Sequence, residues 1–178
     1  DYVEGLYQNW FLKDLTGCWT KAISDNLAAL GYVSEIGKQR DFYSHYVKPL
    51  AGKNSRAFVI ISDALRYEVA AELCDTITRT TKGTAKLDAV QAVFPSITKF
   101  GMAALLPGRK LSVNDSMDVL VDEMPTRSTD ERCKILCAAN MNSVAVQYTD
   151  VLNMKRAERR ELVSGKEVVY IYQNTIDA

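Results

Sequence analysis

The feature that most constrains the fold is a continuous apolar run, Ala57-Phe58-Val59-Ile60-Ile61, bounded on both sides by polar residues. An uninterrupted apolar run of this length, rich in branched and aromatic side chains, suits a strand buried on both faces of a parallel sheet. Parallel strands need long crossovers, usually helical, and the sequence supplies them. Val69, Leu73 and Ile77 recur every four residues, which predicts a helix from Arg66 to about Thr80. Further on, strands are predicted over 87–94, 118–121, 142–148 and 167–172. Helices are predicted over 98–106, from a Ser128 or Thr129 cap through Asn140, and from a Thr149 cap to near Gly165. Alternating strands and helices imply an α/β fold with an open, mostly parallel sheet flanked by helices.

Before this pattern, the chain reads as helical from Tyr2 to about Leu50. Phe11, Leu15, Trp19 and Ile23 recur every four residues until Gly31 interrupts them. Trp10, Phe11, Trp19, Tyr43 and Tyr46 are expected to pack this lead-in against the rest. No basic stripe accompanies them, which argues against a base-stacking platform. Gly52-Lys53-Asn54-Ser55 marks the boundary, giving a helical lead-in over 1–52 and an α/β part over 53–178. The chain opens on Asp1 and stops at Ala178 directly behind the strand-like run Val168-Val169-Tyr170-Ile171-Tyr172, so it reads as a C-terminally truncated piece of a longer protein.

Charge and cysteine content narrow the partners. Lys+Arg 22 against Asp+Glu 22 leaves no overall field toward nucleic acid or an anionic membrane, so any polyanion must be met locally. Whether nucleic acid is a partner stays open. The mixed run Lys155-Arg156-Ala157-Glu158-Arg159-Arg160-Glu161 reads as a solvated helix face rather than a phosphate patch. No stretch approaches the roughly 18 consecutive apolar residues of a membrane span, so a soluble protein without a membrane partner is expected. Cys18, Cys74, Cys133 and Cys137 are scattered, which fits a reducing, cytoplasmic setting. Cys133 and Cys137 can share a helix face, but with His45 as the single histidine they lack partners for a closed zinc site and read as small buried side chains. His45 itself reads as a surface or packing residue.

Ligands of open α/β sheets bind beyond the carboxyl ends of the strands. Asp63 follows the run 57–61 after only Ser62, Thr98 opens a predicted helix behind Phe94-Pro95-Ser96-Ile97, and Asp177 lies beyond the last strand. A phosphate could rest on the free N–H groups at a helix start while the Thr98 hydroxyl attacks phosphorus. A threonine hydroxyl needs activation, and a bound cation held by hard oxygens such as Asp63 and Asp177 can provide it. Each residue also has an ordinary structural reading, Thr98 as a helix start and the two aspartates as caps or turn residues. A flavodoxin-like receiver, which also places such residues at strand ends, lacks here an acidic pair before Asp63 and a matching lysine.

A resemblance adds to this reading. Phe94-Pro95-Ser96-Ile97-Thr98-Lys99-Phe100-Gly101-Met102-Ala103-Ala104-Leu105-Leu106-Pro107-Gly108 resembles the nucleophile segment of the alkaline-phosphatase superfamily, with a proline, a hydroxyl pair and a helix ending in Leu-Leu-x-Gly. Val59-Ile60-Ile61-Ser62-Asp63-Ala64-Leu65-Arg66-Tyr67-Glu68 resembles its first-strand metal motif. More narrowly, residues 61–68 together with Val168-Val169-Tyr170-Ile171-Tyr172-Gln173-Asn174-Thr175-Ile176-Asp177 are similar to the PglZ domain of bacterial phage-defence systems of the BREX and phage-growth-limitation kind.

The resemblance implies a metal-dependent phosphoester hydrolase, a phosphatase or phosphodiesterase, with two divalent metals, usually zinc. Thr98 would be both nucleophile and metal ligand, Asp63 a ligand sharing that metal, and Asp177 a ligand of the other. Ser96 is the neighbouring hydroxyl on the substrate side. Arg66 would either contact substrate phosphate or pair with Glu68. Partners implied are a phosphoester and proteins of a defence system. Two departures stand out. Gln173 occupies a position where family members often carry His, and further ligands, an Asp-His pair and a later His, come in the superfamily from strands beyond Ala178. The chain alone is therefore expected to be inactive and to hold no metal. The alternative is a non-catalytic assembly module that keeps the phosphatase fold.

Overall fold

The computed structural model describes residues 1–52 and 54–176. The chain begins as a helical rod. Helix α1 (Tyr2–Leu6) starts on Asp1, whose carboxylate accepts from the Val3 N–H at 3.2 Å, and runs through a π-type stretch (Tyr7–Leu12) into α2 (Lys13–Leu30). Gly31 ends the rod at φ +73, its N–H donating to the Leu27 carbonyl, because a glycine enters the left-handed region at no steric cost. The four-residue stripe is present, but its large apolar side chains stay exposed. No residue of the rod is buried, Trp10 is 64% exposed, and Phe11 and Trp19 are exposed as well. The expectation that these three aromatics tie the lead-in to the rest is thus corrected. The rod makes its main contacts within itself.

The remainder of the lead-in is not the continuous helix expected to Leu50. It consists of a 3-10 turn (Gln39–Asp41) and a π-type turn (Tyr43–Val47). Tyr43 and Val47 enter the core, whereas Tyr46 and His45 stay exposed. The segment before Gly52 therefore has two characters, an outlying rod and a short piece that shares the core of the strands.

Strand β1 (Ala57–Ser62) buries Ala57 and Val59 but leaves Phe58 54% and Ile60 66% exposed. Burial on both faces is corrected to burial on one, because alternate residues point to opposite faces and the face bearing Phe58 and Ile60 is left exposed. Helix α3 (Tyr67–Thr80) starts where the spacing indicated, with Arg66 in extended conformation ahead of it. The strand expected over 87–94 does not form. Gln91 makes one rung, donating its N–H to the Gly37 carbonyl and accepting at its own carbonyl from the Gln39 N–H. Further ties come from side chains, with the Gln91 amide oxygen accepting from Val33 N–H and the Gln39 amide oxygen from Val93 N–H. An apolar run with a single rung has no ladder to extend it into a strand.

Helix α4 (Thr98–Ala104) is two residues shorter than predicted and buries Met102, Ala103 and Ala104. It packs on a small antiparallel sheet of β2 (Leu111–Val113), β3 (Val119–Val121) and β4 (Met124–Pro125), of which the sequence pattern revealed only β3. Helix α5 (Thr129–Ala139) carries a capping box: the Glu131 N–H donates to Ser128 Oγ, and the Glu131 carboxylate accepts from the Ser128 N–H, both at 3.1 Å. After β5 (Ser143–Gln147), the single charged helix expected from Thr149 is two, α6 (Tyr148–Asn153) and α7 (Arg156–Val163). Met154 and Lys155 are extended between them. The break is stabilised because Arg159 donates to the carbonyls of Val151 and Leu152 while the Glu158 carboxylate takes the Lys155 N–H.

Strand β6 (Val168–Gln173) is the centre of a three-stranded sheet ordered β1-β6-β5, all parallel, with Ala57 and Ser143 both in register with Val168. Val168, Val169, Tyr170 and Tyr172 are buried, so the two-faced burial predicted for a parallel strand is realised in the middle of the sheet rather than at β1. One face packs with Met102, Leu106, Val121, Ile135, Leu136, Tyr43 and Val47, and Tyr170 donates its hydroxyl to the Leu105 carbonyl at 2.8 Å. Among the described residues no helix is long and apolar enough to cross a membrane.

Candidate active site

Parallel register brings the carboxyl ends of β1 and β6 side by side, with Ser62 opposite Gln173. Asp63 continues that ladder by one rung, its N–H donating to the Gln173 carbonyl at 3.1 Å. Its carboxylate is partly exposed, and one oxygen accepts from the Ala64 N–H at 3.1 Å. The other oxygen has no protein partner among the described residues. Ala64 then sits at φ +60, a left-handed conformation that costs a residue with a Cβ about 1 kcal/mol or more. The residues directly ahead of this turn, Ser62 and Asp63, both bond to Gln173.

The Gln173 side chain bridges two segments. Its amide oxygen accepts from Ser62 Oγ, and its amide nitrogen donates to Thr175 Oγ1. Ser62 and Gln173 are cross-strand neighbours on one sheet face, so the contact follows from register alone.

Thr98 stands elsewhere in the chain, at the first position of α4, behind extended Ile97 and a cis Phe94-Pro95 peptide. Thr98 and Ser96 are exposed, and neither side chain is engaged in a hydrogen bond among the described residues. With seven residues, α4 offers little dipole, so the exposed hydroxyl is the more useful feature. Lys99 turns away and donates to the Met117 carbonyl at 2.8 Å. Arg66 is exposed at the start of α3 and forms no ion pair with Glu68 among the described residues. Asp177 lies outside the described residues. No hydrogen bond joins Asp63, Arg66, Ser96 and Thr98 to one another.

Among the described residues no group of three or more His, Cys, Asp or Glu side chains converges on a common point. Asp63 and Thr98 are hard oxygen donors and suit a divalent cation in kind, as part of a ligand set. Cys133 and Cys137 do interact on one face of α5, where burial foremost and then the neighbouring Cys133 raise the Cys137 thiol above its ordinary pKa, the opposite of a metal-ready thiolate.

Comparison with known proteins decides the family. Residues 42–178 match the model of the BREX system PglZ alkaline phosphatase-like domain. The chain belongs to that family. It is 40% identical over its full length to the alkaline phosphatase-like protein PglZ of Bacillus cereus (strain H3081.97), and 40% identical to the alkaline phosphatase-like protein BrxZ of Escherichia coli O9:H4 (strain HS). The chain spans about a fifth (21%) of the length of each of these relatives. No solved structure matches it. Within this PglZ domain, two features escaped the sequence reading: the Ser62–Gln173–Thr175 bridge and the left-handed Ala64. Ser62 could have been found as the residue that must face the same side as Gln173 once β1 and β6 pair, whereas no sequence signal marks an alanine at positive φ.

Proposed function

We propose that a full-length protein carrying this PglZ domain hydrolyses phosphoesters, with Thr98 as nucleophile and Asp63 as ligand of a divalent cation, zinc in the first instance. The observation that carries the reading is Asp63 at the carboxyl end of β1, laced to the end of β6, with one carboxylate oxygen left for a ligand. Family membership and the free Thr98 hydroxyl support it.

In this mechanism the Thr98 oxygen attacks phosphorus. A Thr98 O–P bond forms as the bond to the leaving oxygen breaks, the Thr98 proton passing by way of solvent to the departing alcohol. A water then cleaves the Thr98 O–P bond, returning a proton to Thr98 and releasing phosphate from a monoester or a phosphomonoester from a diester. Asp63 and Thr98 would hold a divalent cation, which would lower the pKa of the Thr98 hydroxyl and supply positive charge toward the leaving oxygen. Ser96 and Arg66 hold the phosphoryl oxygens, Arg66 through its planar donor fork. Asp177 is assigned to a second cation, and the remaining ligands come from other parts of the full-length protein.

The test is hydrolysis of aryl phosphate mono- and diesters by full-length protein with added zinc or manganese. Thr98→Ala is expected to abolish turnover, and an unaffected rate overturns the nucleophile assignment. A second reading, a phosphatase-fold assembly module within a BREX complex, is favoured by Gln173, whose amide is spent on Ser62 and Thr175. It predicts that purified full-length protein hydrolyses no phosphoester while still associating with its defence partners.

A further inference from the structure

We propose that Gln173 is a positioning residue for Asp63, a side-chain clamp that fixes the orientation in which the carboxylate meets a cation. The proposal rests on the reading of Asp63 as a metal ligand given above. Four observations carry it. Asp63 is joined to β6 at the backbone through the Gln173 carbonyl, at 3.1 Å. Ser62, the residue before Asp63, gives its hydroxyl proton to the amide oxygen of that same Gln173. The amide nitrogen reaches Thr175 Oγ1, so one side chain ties the end of β1 to the turn after β6. The residue after Asp63 is held at φ +60, a conformation Ala64 leaves unless its neighbours are fixed.

These contacts hold Asp63 at its own backbone and through the residue before it, directly ahead of the left-handed Ala64. Among the described residues β1 pairs on one side only, with β6, so its last residues depend on that one neighbour. Edge-strand ends fray unless side chains tie them down. The amide suits the task because it offers an acceptor to Ser62 and a donor to Thr175 at once, which neither an alkyl chain nor a shorter amide spanning less distance does. Gln173 thus stands toward Asp63 as outer-shell partners stand toward metal ligands in general, and loss of such a partner commonly costs ten- to a hundred-fold in metal affinity.

The test is isothermal titration of full-length protein with zinc and with manganese, together with thermal unfolding without metal. Asp63→Asn sets the reference and is expected to remove the site. Gln173→Ala is expected to weaken binding about ten-fold. Ser62→Ala removes the clamp's partner without touching Gln173 and keeps the test valid if Gln173→Ala fails to fold. It is expected to weaken binding as well, Ser62→Thr to restore it, and the double variant Ser62→Ala/Gln173→Ala to bind no worse than Gln173→Ala alone. That coupling, with an unfolding midpoint in Ser62→Ala equal to wild type, is a result a purely structural role does not produce. Loss of binding in Asp63→Asn with wild-type affinity in both Ser62→Ala and Gln173→Ala overturns the clamp and leaves the ligand assignment intact. Wild-type affinity in Asp63→Asn overturns the ligand assignment and the clamp with it.

Discussion

Tyr172 carries a buried hydroxyl without a hydrogen-bond partner among the described residues, in the strand that also ends in Gln173. Arg132 lies over its ring, 4.7 Å from the centroid, yet the guanidinium donates to the carbonyls of Thr126 and Arg127 and leaves the hydroxyl unpaired. Burial pushes the Tyr172 pKa up to about 12, with Arg132 opposing the rise. Removing an unsatisfied buried hydroxyl recovers its desolvation cost, so Tyr172→Phe is expected to be neutral or to stabilise the fold by up to about 1 kcal/mol in urea unfolding. The same shift has a pH signature. The folded pKa lies above the ordinary value of 10.0, so the fold keeps the neutral phenol while the unfolded chain ionises. That stability is fully present below pH 10 and is lost as pH rises toward 12. Unfolding midpoints compared at pH 8 and about pH 11 should therefore fall less in Tyr172→Phe than in wild type; an equal fall contradicts the assignment.

The loop between α4 and β2 passes close to the end of β3 at a glycine. A Cβ at Gly108 would lie 2.2 Å from Val121 Cγ1 and 3.3 Å from Asp122 Oδ2, and the Asp122 carboxylate itself accepts the N–H groups of Arg109 and Lys110. Neither neighbour is free to yield. Gly108→Ala is expected to destabilise by about 1–3 kcal/mol, the cost of overpacking, read as a lowered urea midpoint. This explains physically why the run Leu105-Leu106-Pro107-Gly108 ends as it does. At this scale the sequence was informative wherever an element carries its own signal. The apolar runs at 57–61 and 168–172 mark β1 and β6, and the cap expected at Ser128 or Thr129 marks the start of α5. It was uninformative where tertiary partners decide. The apolar residues 87–94 gain only one rung from Gln91, and β2 and β4 are too short for a period to register. The break between α6 and α7 depends on Arg159 reaching back to Val151 and Leu152, a contact that no helical repeat records.

At the scale of the molecule, the order β1-β6-β5 explains how much of the site was legible. Asp63 does lie beyond the carboxyl end of a parallel strand, β1, as the rule for open sheets led one to look for, whereas Thr98 follows no strand and was singled out by the helix start and by the resemblance of its segment. The Gln173 bridge was not legible, because it requires knowing that β1 pairs with β6 across more than a hundred residues of chain. The exposed faces have a common character: Phe58 and Ile60 on β1, Val69 and Leu73 on α3, and the aromatic stripe of the rod are all apolar and uncovered within a chain that is a fifth of its relatives' length.

Trapping the covalent intermediate tests the central claim most directly. Full-length protein is mixed with an aryl phosphate and a divalent cation, quenched in acid and mapped by peptide mass spectrometry. The account predicts one added phosphoryl group on the peptide bearing Thr98, absent in Thr98→Ala together with turnover. Turnover that persists in Thr98→Ala, or a phosphoryl group carried by any other residue, contradicts it.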